Sequence, residues 1–530
     1  MTRANGLVAA VCVAVFATAS YASDTATATK FALDEATISD LQARMSSGKL
    51  TAHAIVQLYL DRIAALDKSG PALNAVIELN PDALRIADER DAERASGKLR
   101  GPLHGIPLLI KDNIETADRM HTTAGSLALA NSIAVRDAGI VGRLRVAGAI
   151  ILGKTNLSEW ANFRSSQSIS GWSARGGLTR NPYALDRNAC GSSSGTAAAI
   201  AANFATVGIG TETDGSIVCP SSVQALVGIK PTVGLVSRSG IVPIAHSQDT
   251  AGPMARTIAD AAILLNVIAA GDSRDPAGGE ANSHRTDYVK SLDANGLRGA
   301  HIGVVRKQAG FNEDVDALFE HDIAALKNAG AVIVDPVEIP NLGKYDDAEL
   351  TVLEYEFKHD VDAYLSGLPE STNAPRSLKE LIAFNERERL RELPWFGQDL
   401  FVKSQALGGL DEKKYLDALA NAKSLAGKLG IDAALQEYHL DALIAPTLGP
   451  AWLTDWIDGD HVSGGSSTPA AVAGYPDISV PAGFVRELPV GLSFYGAAWT
   501  EPLLIRYAYA FEQATHLRRP PRFLPHTATP

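Results

Sequence analysis

Three segments carry side chains that together could cleave an acyl bond. Gly105-Ile106-Pro107-Leu108-Leu109-Ile110-Lys111-Asp112-Asn113 sets one lysine at the end of an apolar run. Cys190-Gly191-Ser192-Ser193-Ser194-Gly195-Thr196 offers three serines ahead of a second apolar run. Ser216 closes Gly210-Thr211-Glu212-Thr213-Asp214-Gly215-Ser216, 24 residues beyond Ser192. A serine hydroxyl is a weak nucleophile until a base takes its proton. Lysine serves as that base only when neutral, which asks its pKa to fall from about 10.4 to roughly 7–8. The fall corresponds to about 4 kcal/mol, and burial at the end of an apolar strand biases the lysine in that direction. An ionised Asp112 facing Lys111 would oppose it. A lysine and two serines therefore suffice for a hydrolytic relay without histidine. Singly, each segment has an ordinary reading: a solvated lysine, serines that cap a helix, a Gly-Ser turn. The three in order, each in a fitting local context, point to chemistry.

The elements that must position these residues read as alternating helices and strands. Helical spacing begins at Ile38 with Leu41 and Met45, and continues through Ile55, Leu58, Tyr59, Ile63 and Leu66, with Thr51 as the second helix's cap. Leu73–Leu79 reads as a strand, and Pro81 opens a charged helix to about Ser96. Ile106–Ile110 fits a buried strand ending at the lysine. A helix over 137–147, a strand at Ala149–Leu152 and a turn at Gly153-Lys154 follow. Pro182–Arg187 is a polar loop, and Ala197–Phe204 reads as a buried helix with Ser194 or a neighbour at its cap. Thr206–Gly210 is strand-like. Residues 340–440 are mostly helical and charged, and Ala442–Ala445, Ile478–Val480 and Gly491–Tyr495 read as late strands around a flexible Gly464-Gly465-Ser466-Ser467 loop. The alternation predicts an α/β fold. No internal repeat or linker divides the chain.

The chain has 530 residues, 46% of them hydrophobic, ample for a large core. Its net charge of −12 argues against nonspecific nucleic-acid binding and against anionic membrane surfaces. The start reads as a secretory signal: Arg3, an apolar stretch from Leu7 to Ala17, and small residues at Ser20 and Ala22. That stretch is too short for a membrane span. Residues 1–22 are thus expected to be cleaved, 23–35 to form a loose leader, and 36–530 to form one domain with a helical insertion at about 340–440. The product is then exported, periplasmic or extracellular. Cys12 leaves with the signal. Cys190 and Cys219 flank the two serine segments, and whether they pair is left open by the sequence.

On these motifs the chain resembles the amidase signature family over most of its length after the signal. Gly105–Asn113 is similar to the family's lysine segment, and Cys190–Gly195 to its Gly-Ser-rich segment, with Cys190 in place of the usual glycine. Gly210–Pro220, Gly228-Ile229-Lys230-Pro231-Thr232, Val472–Gly483 and Leu488–Leu492 also look like family sequence. The resemblance implies one large domain, a central mixed β-sheet covered by helices on both faces. It implies Lys111 as base, Ser192 as bridging serine and Ser216 as nucleophile. The backbone N–H groups of Thr213, Asp214, Gly215 and Ser216 become the oxyanion donors. Two departures stand out. Val218 occupies the place of a common arginine, with Glu212 in the acidic place, and Asp214 replaces a common glycine. Within the family, Gly153–Arg164, Gly171–Gly177 and Thr211–Pro220 look most like the bacterial peptide amidases. That branch implies release of ammonia from a peptide C-terminal amide with internal peptide bonds left intact.

Other readings are weaker. Gly191-Ser192-Ser193-Ser194-Gly195 also fits Gly-x-Ser-x-Gly with Ser193 as nucleophile, but it follows a loop, where that motif requires a strand. No phosphate-loop ending and no metal-ligand spacing is present, so no cofactor or metal is expected. A broader aryl- or fatty-acyl amidase is the runner-up, and a non-catalytic binding protein would have lost a triad member. Secretion argues against a tRNA-dependent amidotransferase subunit. The expected partner is a small amide substrate, with no nucleic acid and no membrane insertion. Tyr355, Phe357 and Trp395 are candidates to line its pocket.

Overall fold

Apolar runs bounded by turn residues become strands in the computed structural model, which describes Met1–Thr2 and residues 31–527. The segment read as a signal and most of the leader lie outside the described residues. In chain order the strands are β1 (Val76–Leu79), β2 (Pro107–Lys111), β3 (Ile150–Thr155), β4 (Trp172–Ser173), β5 (Gly177–Leu178), β6 (Val207–Glu212), β7 (Val227–Lys230), β8 (Thr250–Ala255), β9 (His301–Val304), β10 (Val332–Val334), β11 (Ala442–Pro446), β12 (Asp477–Val485) and β13 (Leu488–Tyr495). Eleven of them form one mixed sheet in the order β1-β3-β2-β6-β8-β7-β12-β13-β11-β9-β10. Strands β3, β2 and β6 run parallel, whereas neighbours from β6 through to β11 pair antiparallel. Every residue of β2, β3, β6 and β8 is buried, as a sheet covered by helices on both faces requires. The α/β architecture expected from the alternation is the one observed.

Most local expectations hold. Thr51 caps the helix Ala52–Leu66 by accepting from Ala54 N at 3.1 Å. The strand ending in Lys111 and the fully buried helix Ser194–Ala201 are both present. One expectation fails: Gly153-Lys154 is not a turn but the interior of β3. A Cβ at Gly153 would lie 2.5 Å from the Glu78 carbonyl oxygen, so glycine here lets β1 approach. Lys154 is fully buried, 2.6 Å from Ile114 O and 2.9 Å from Thr122 Oγ1.

The region 340–440 is helical as expected, with helices Asp346–Ser366, Leu378–Arg387, Asp399–Gln405 and Lys413–Ala426. Phe357, Leu365, Leu378 and Phe401 from these helices pack on Trp160 and Phe163, so the helical region sits on the 159–164 segment. Among the described residues, no helix is long and apolar enough to cross a membrane.

Candidate active site

Lys111 ends β2, and strand alternation decides what it faces. Lys111 and Asn113 point to one side, where β6 supplies Thr211. Lys111 Nζ lies 2.7 Å from Ser192 Oγ, 2.8 Å from Thr211 Oγ1 and 3.2 Å from Thr211 O. Asn113 Nδ2 donates to the same Thr211 Oγ1 at 3.0 Å. Lys111 is fully buried, and burial brings its pKa down to about 7 against the pull of Asp249 and Glu212. Asp112 does not oppose this shift. It accepts from Thr123 Oγ1 and lies 3.5 Å from Arg175, and Lys154 exerts the largest opposing electrostatic pull on it.

The Gly-Ser-rich segment is held against both flanking elements. Ser158 N donates to Ser192 O at 3.1 Å, and Ser193 N donates to Ser216 O at 3.1 Å, which brings the Ser216 turn beside the Ser192–Ser194 run. Ser193 Oγ donates to Thr211 O at 3.0 Å at the start of the helix Ser194–Ala201. It is a structural serine with no histidine on it, and residues 188–193 are not preceded directly by a strand. The Gly-x-Ser-x-Gly reading therefore fails in this fold.

Cys190 and Cys219 form a disulfide, with Cα atoms 6.1 Å apart. It ties the residue two before Ser192 to the residue three after Ser216. The bridge closes a span of 29 residues, so in the chain-entropy account it contributes roughly 3–4 kcal/mol. Replacing both cysteines by serine is expected to lower unfolding free energy by about that amount, read as a shift in denaturation midpoint at unchanged slope.

The Thr213–Ser216 turn follows β6. Gly215 has φ +74°, a conformation that favours glycine. Among the described residues, the amides of Asp214, Gly215 and Ser216 donate to no protein acceptor, which leaves them free for a ligand oxygen. Glu212 reaches over this turn: its Oε2 accepts from Ile217 N at 2.6 Å and Val218 N at 3.0 Å. Buried Lys230 supplies the opposite charge. Glu212 thus ties down the backbone just past Ser216. Asp214 accepts from Ser467 Oγ at 2.5 Å and Thr468 Oγ1 at 2.7 Å, so it anchors the Gly464–Ser467 loop.

A cavity of about 190 Å³ is lined by Asn113, Thr211, Thr213, Asp249, His246 and Asp360 among others. Asp249 accepts from Thr213 Oγ1 at 2.6 Å and from Ile244 N and Ala245 N, and loss of hydration raises its pKa to about 6. Gln248 donates to Glu349 Oε1 at 2.8 Å and Thr213 O at 3.4 Å, linking the helix Asp346–Ser366 to the turn. The aromatic candidates do not line this cavity. Phe357 stacks on Phe401 and Phe163, Tyr355 packs with Tyr415 and bonds Glu412, and half-exposed Trp395 lies on Trp456.

Two residues of the site went unrecognised in the sequence. Asn113 lies in the turn that follows β2, two residues past Lys111, where strand alternation gives no signal. Thr211 lies in the strand before Ser216, and nothing local marks it. Thr211→Val is expected to lower kcat by roughly 10–100-fold through loss of the hydroxyl that orients the lysine. Its pH–rate profile should also move to lower pH, because the lost acceptor favours charged lysine.

Comparison with known proteins places this geometry in context. The model of the family described as Amidase matches residues 54–505. The native peptide amidase of Stenotrophomonas maltophilia is 55% identical with a TM-score of 0.87, over 93% of this chain and 99% of that one. An amidase family protein from Bacillus anthracis is 39% identical with a TM-score of 0.84, over 92% of each chain. A probable amidase of Arabidopsis thaliana is 43% identical over 93% of each chain.

Proposed function

This chain belongs to the amidase family and hydrolyses amides, and from that premise we propose that it releases ammonia from peptide C-terminal amides through a Lys111–Ser192–Ser216 relay. The observation that carries the relay is the 2.7 Å contact between fully buried Lys111 and Ser192. A neutral lysine has two N–H bonds and one lone pair. Thr211 O and Thr211 Oγ1 take the two N–H bonds, so the lone pair is left for the Ser192 hydroxyl proton. Ser192 then takes the proton of Ser216 as its Oγ attacks the amide carbon. Backbone N–H groups of the 213–216 turn receive the developing oxyanion, each worth about 3–4 kcal/mol to the transition state. The proton returns through Ser192 to the departing nitrogen, ammonia leaves, and water releases the acid from Ser216 along the same route.

Likeness to the Stenotrophomonas maltophilia peptide amidase supports the choice of substrate. The test is ammonia release from a C-terminal peptide amide, run beside the free-acid peptide and an aryl anilide. Rapid ammonia release with intact internal bonds is expected. Preference for the anilide would move the assignment to a broader aryl amidase.

We also propose that the protein is exported from the cytoplasm. The Cys190–Cys219 disulfide supports export, since such bonds persist in oxidising compartments. A mature N-terminus at Ser23, found by mass spectrometry of the exported fraction, is the expected result, and an intact Met1 start would contradict it.

A further inference from the structure

A second group of reactive side chains borders the same cavity through His246 and Asp360, and the relay does not use it. His246 belongs to the loop that Asp249 ties to Thr213, and His359 and Asp360 are consecutive on the helix Asp346–Ser366. His246 Nδ1 is 2.8 Å from Asp360 Oδ2, and His359 Nδ1 is 2.8 Å from Asp360 Oδ1. One carboxylate is thus clasped between two imidazoles. One ring nitrogen from each histidine and one carboxylate oxygen all lie within 4.8 Å of one another. Glu356, one turn earlier on the helix, brings Oε1 to 3.4 Å from His246 Nε2.

We propose that His246, His359 and Asp360 bind a divalent transition-metal ion beside the cavity. Two imidazoles and a carboxylate suit Zn²⁺, Co²⁺ or Ni²⁺, whereas Mg²⁺ and Ca²⁺ prefer oxygen alone. Zinc needs ring nitrogens about 2.0–2.1 Å away, and the ligand atoms lie within 4.8 Å of one another, so the rings close in on the ion when it binds. Both can, being 44% and 60% exposed, while Asp360 at 13% is the fixed post. His246 N also donates to Asp360 Oδ2 at 3.0 Å, which orients that carboxylate. The ion fastens the 243–249 loop to the helix beside the cavity. Water or a substrate group completes its coordination.

The charges around the site favour a cation. Asp360 and Glu356 face His246, and Tyr415 OH donates to Glu356 Oε1 at 2.7 Å. Arg238 donates to His246 O, but its guanidinium is engaged with Asp275. Lys423, on the facing helix Lys413–Ala426, has Glu356 as the opposing charge beside it. Local spacing could not reveal this site, because 114 residues separate His246 from Asp360.

The inference is independent of the amide substrate and is tested by binding alone. The full chain without an affinity tag is titrated with Zn²⁺ by calorimetry, and with Co²⁺ followed by its visible bands. One equivalent of saturable binding is expected, weakened at least tenfold in His359→Ala and in His246→Gln. Both side chains are exposed, so the variants should keep the parent melting temperature without metal. Absence of saturable binding, or one-equivalent binding that survives both substitutions, would overturn the proposal.

Discussion

Ser216→Ala is expected to lower kcat for ammonia release by roughly 10⁴–10⁶-fold, the scale seen when a serine nucleophile is removed from a relay that acts as a unit. The loss should be almost purely chemical. Ser216 is buried at 7% exposure, and among the described residues no protein group bonds its Oγ. Alanine keeps the backbone carbonyl that receives Ser193 N. Stability should therefore change by less than about 1 kcal/mol. KM should change little, since the amides of the turn remain in place. The measurement is steady-state kinetics on the peptide amide with a thermal melt alongside.

The second large effect concerns Lys111. A base held near pKa 7 is half charged at neutral pH and takes no proton when charged. Turnover by the parent enzyme should rise tenfold per pH unit below about 7 and level off above it. Lys111→Met should remove that limb and lower kcat by roughly 10²–10⁴-fold. Its effect on stability has a definite sign. Between about 7 and 10.5 the unfolded lysine binds a proton that the folded one refuses. The native lysine therefore costs stability at neutral pH, on the order of 5 kcal/mol for a fully buried group with this shift. Methionine removes that cost and forfeits the bonds to Ser192 and Thr211, worth about 1 kcal/mol each. The inactive variant should thus be at least as stable as the parent at pH 7. A pH–rate profile and denaturant unfolding at pH 7 check both halves.

Much of the site was legible because its segments are local. Lys111 at a strand end, Ser192 ahead of a buried helix and Ser216 after a glycine are each set by a few neighbouring residues. The same holds for the alternating elements that give the α/β fold. Less legible was whatever depends on distant chain. The pairing of Cys190 with Cys219 needed the two segments brought side by side. Asp112 could be read as facing Lys111 until strand register turned it toward Arg175 and Lys154. Gly153-Lys154 looked like a turn because a glycine and a lysine seldom share a buried strand. Here β1 crowds the glycine and Ile114 with Thr122 satisfies the lysine. Strands β7, β8, β9 and β10 were not anticipated: β9 and β10 are only four and three residues long, and Gly228, Gly252 and Pro253 interrupt the pattern of β7 and β8. Of the aromatics of 340–440, Tyr355 and Phe357 were drawn into packed clusters, the more common fate of large rings, while Trp395 stays half-exposed against Trp456.

The central claim is that Ser216 carries the acyl group and Lys111 acts through Ser192. The most direct measurement is rapid acid quench of the enzyme turning over a peptide amide, followed by digestion and mass spectrometry of the 213–216 and 190–196 segments. The account predicts a peptidyl adduct on Ser216 that builds within one turnover and vanishes in Ser216→Ala. An adduct on Ser193, or full turnover by Ser216→Ala, would contradict it.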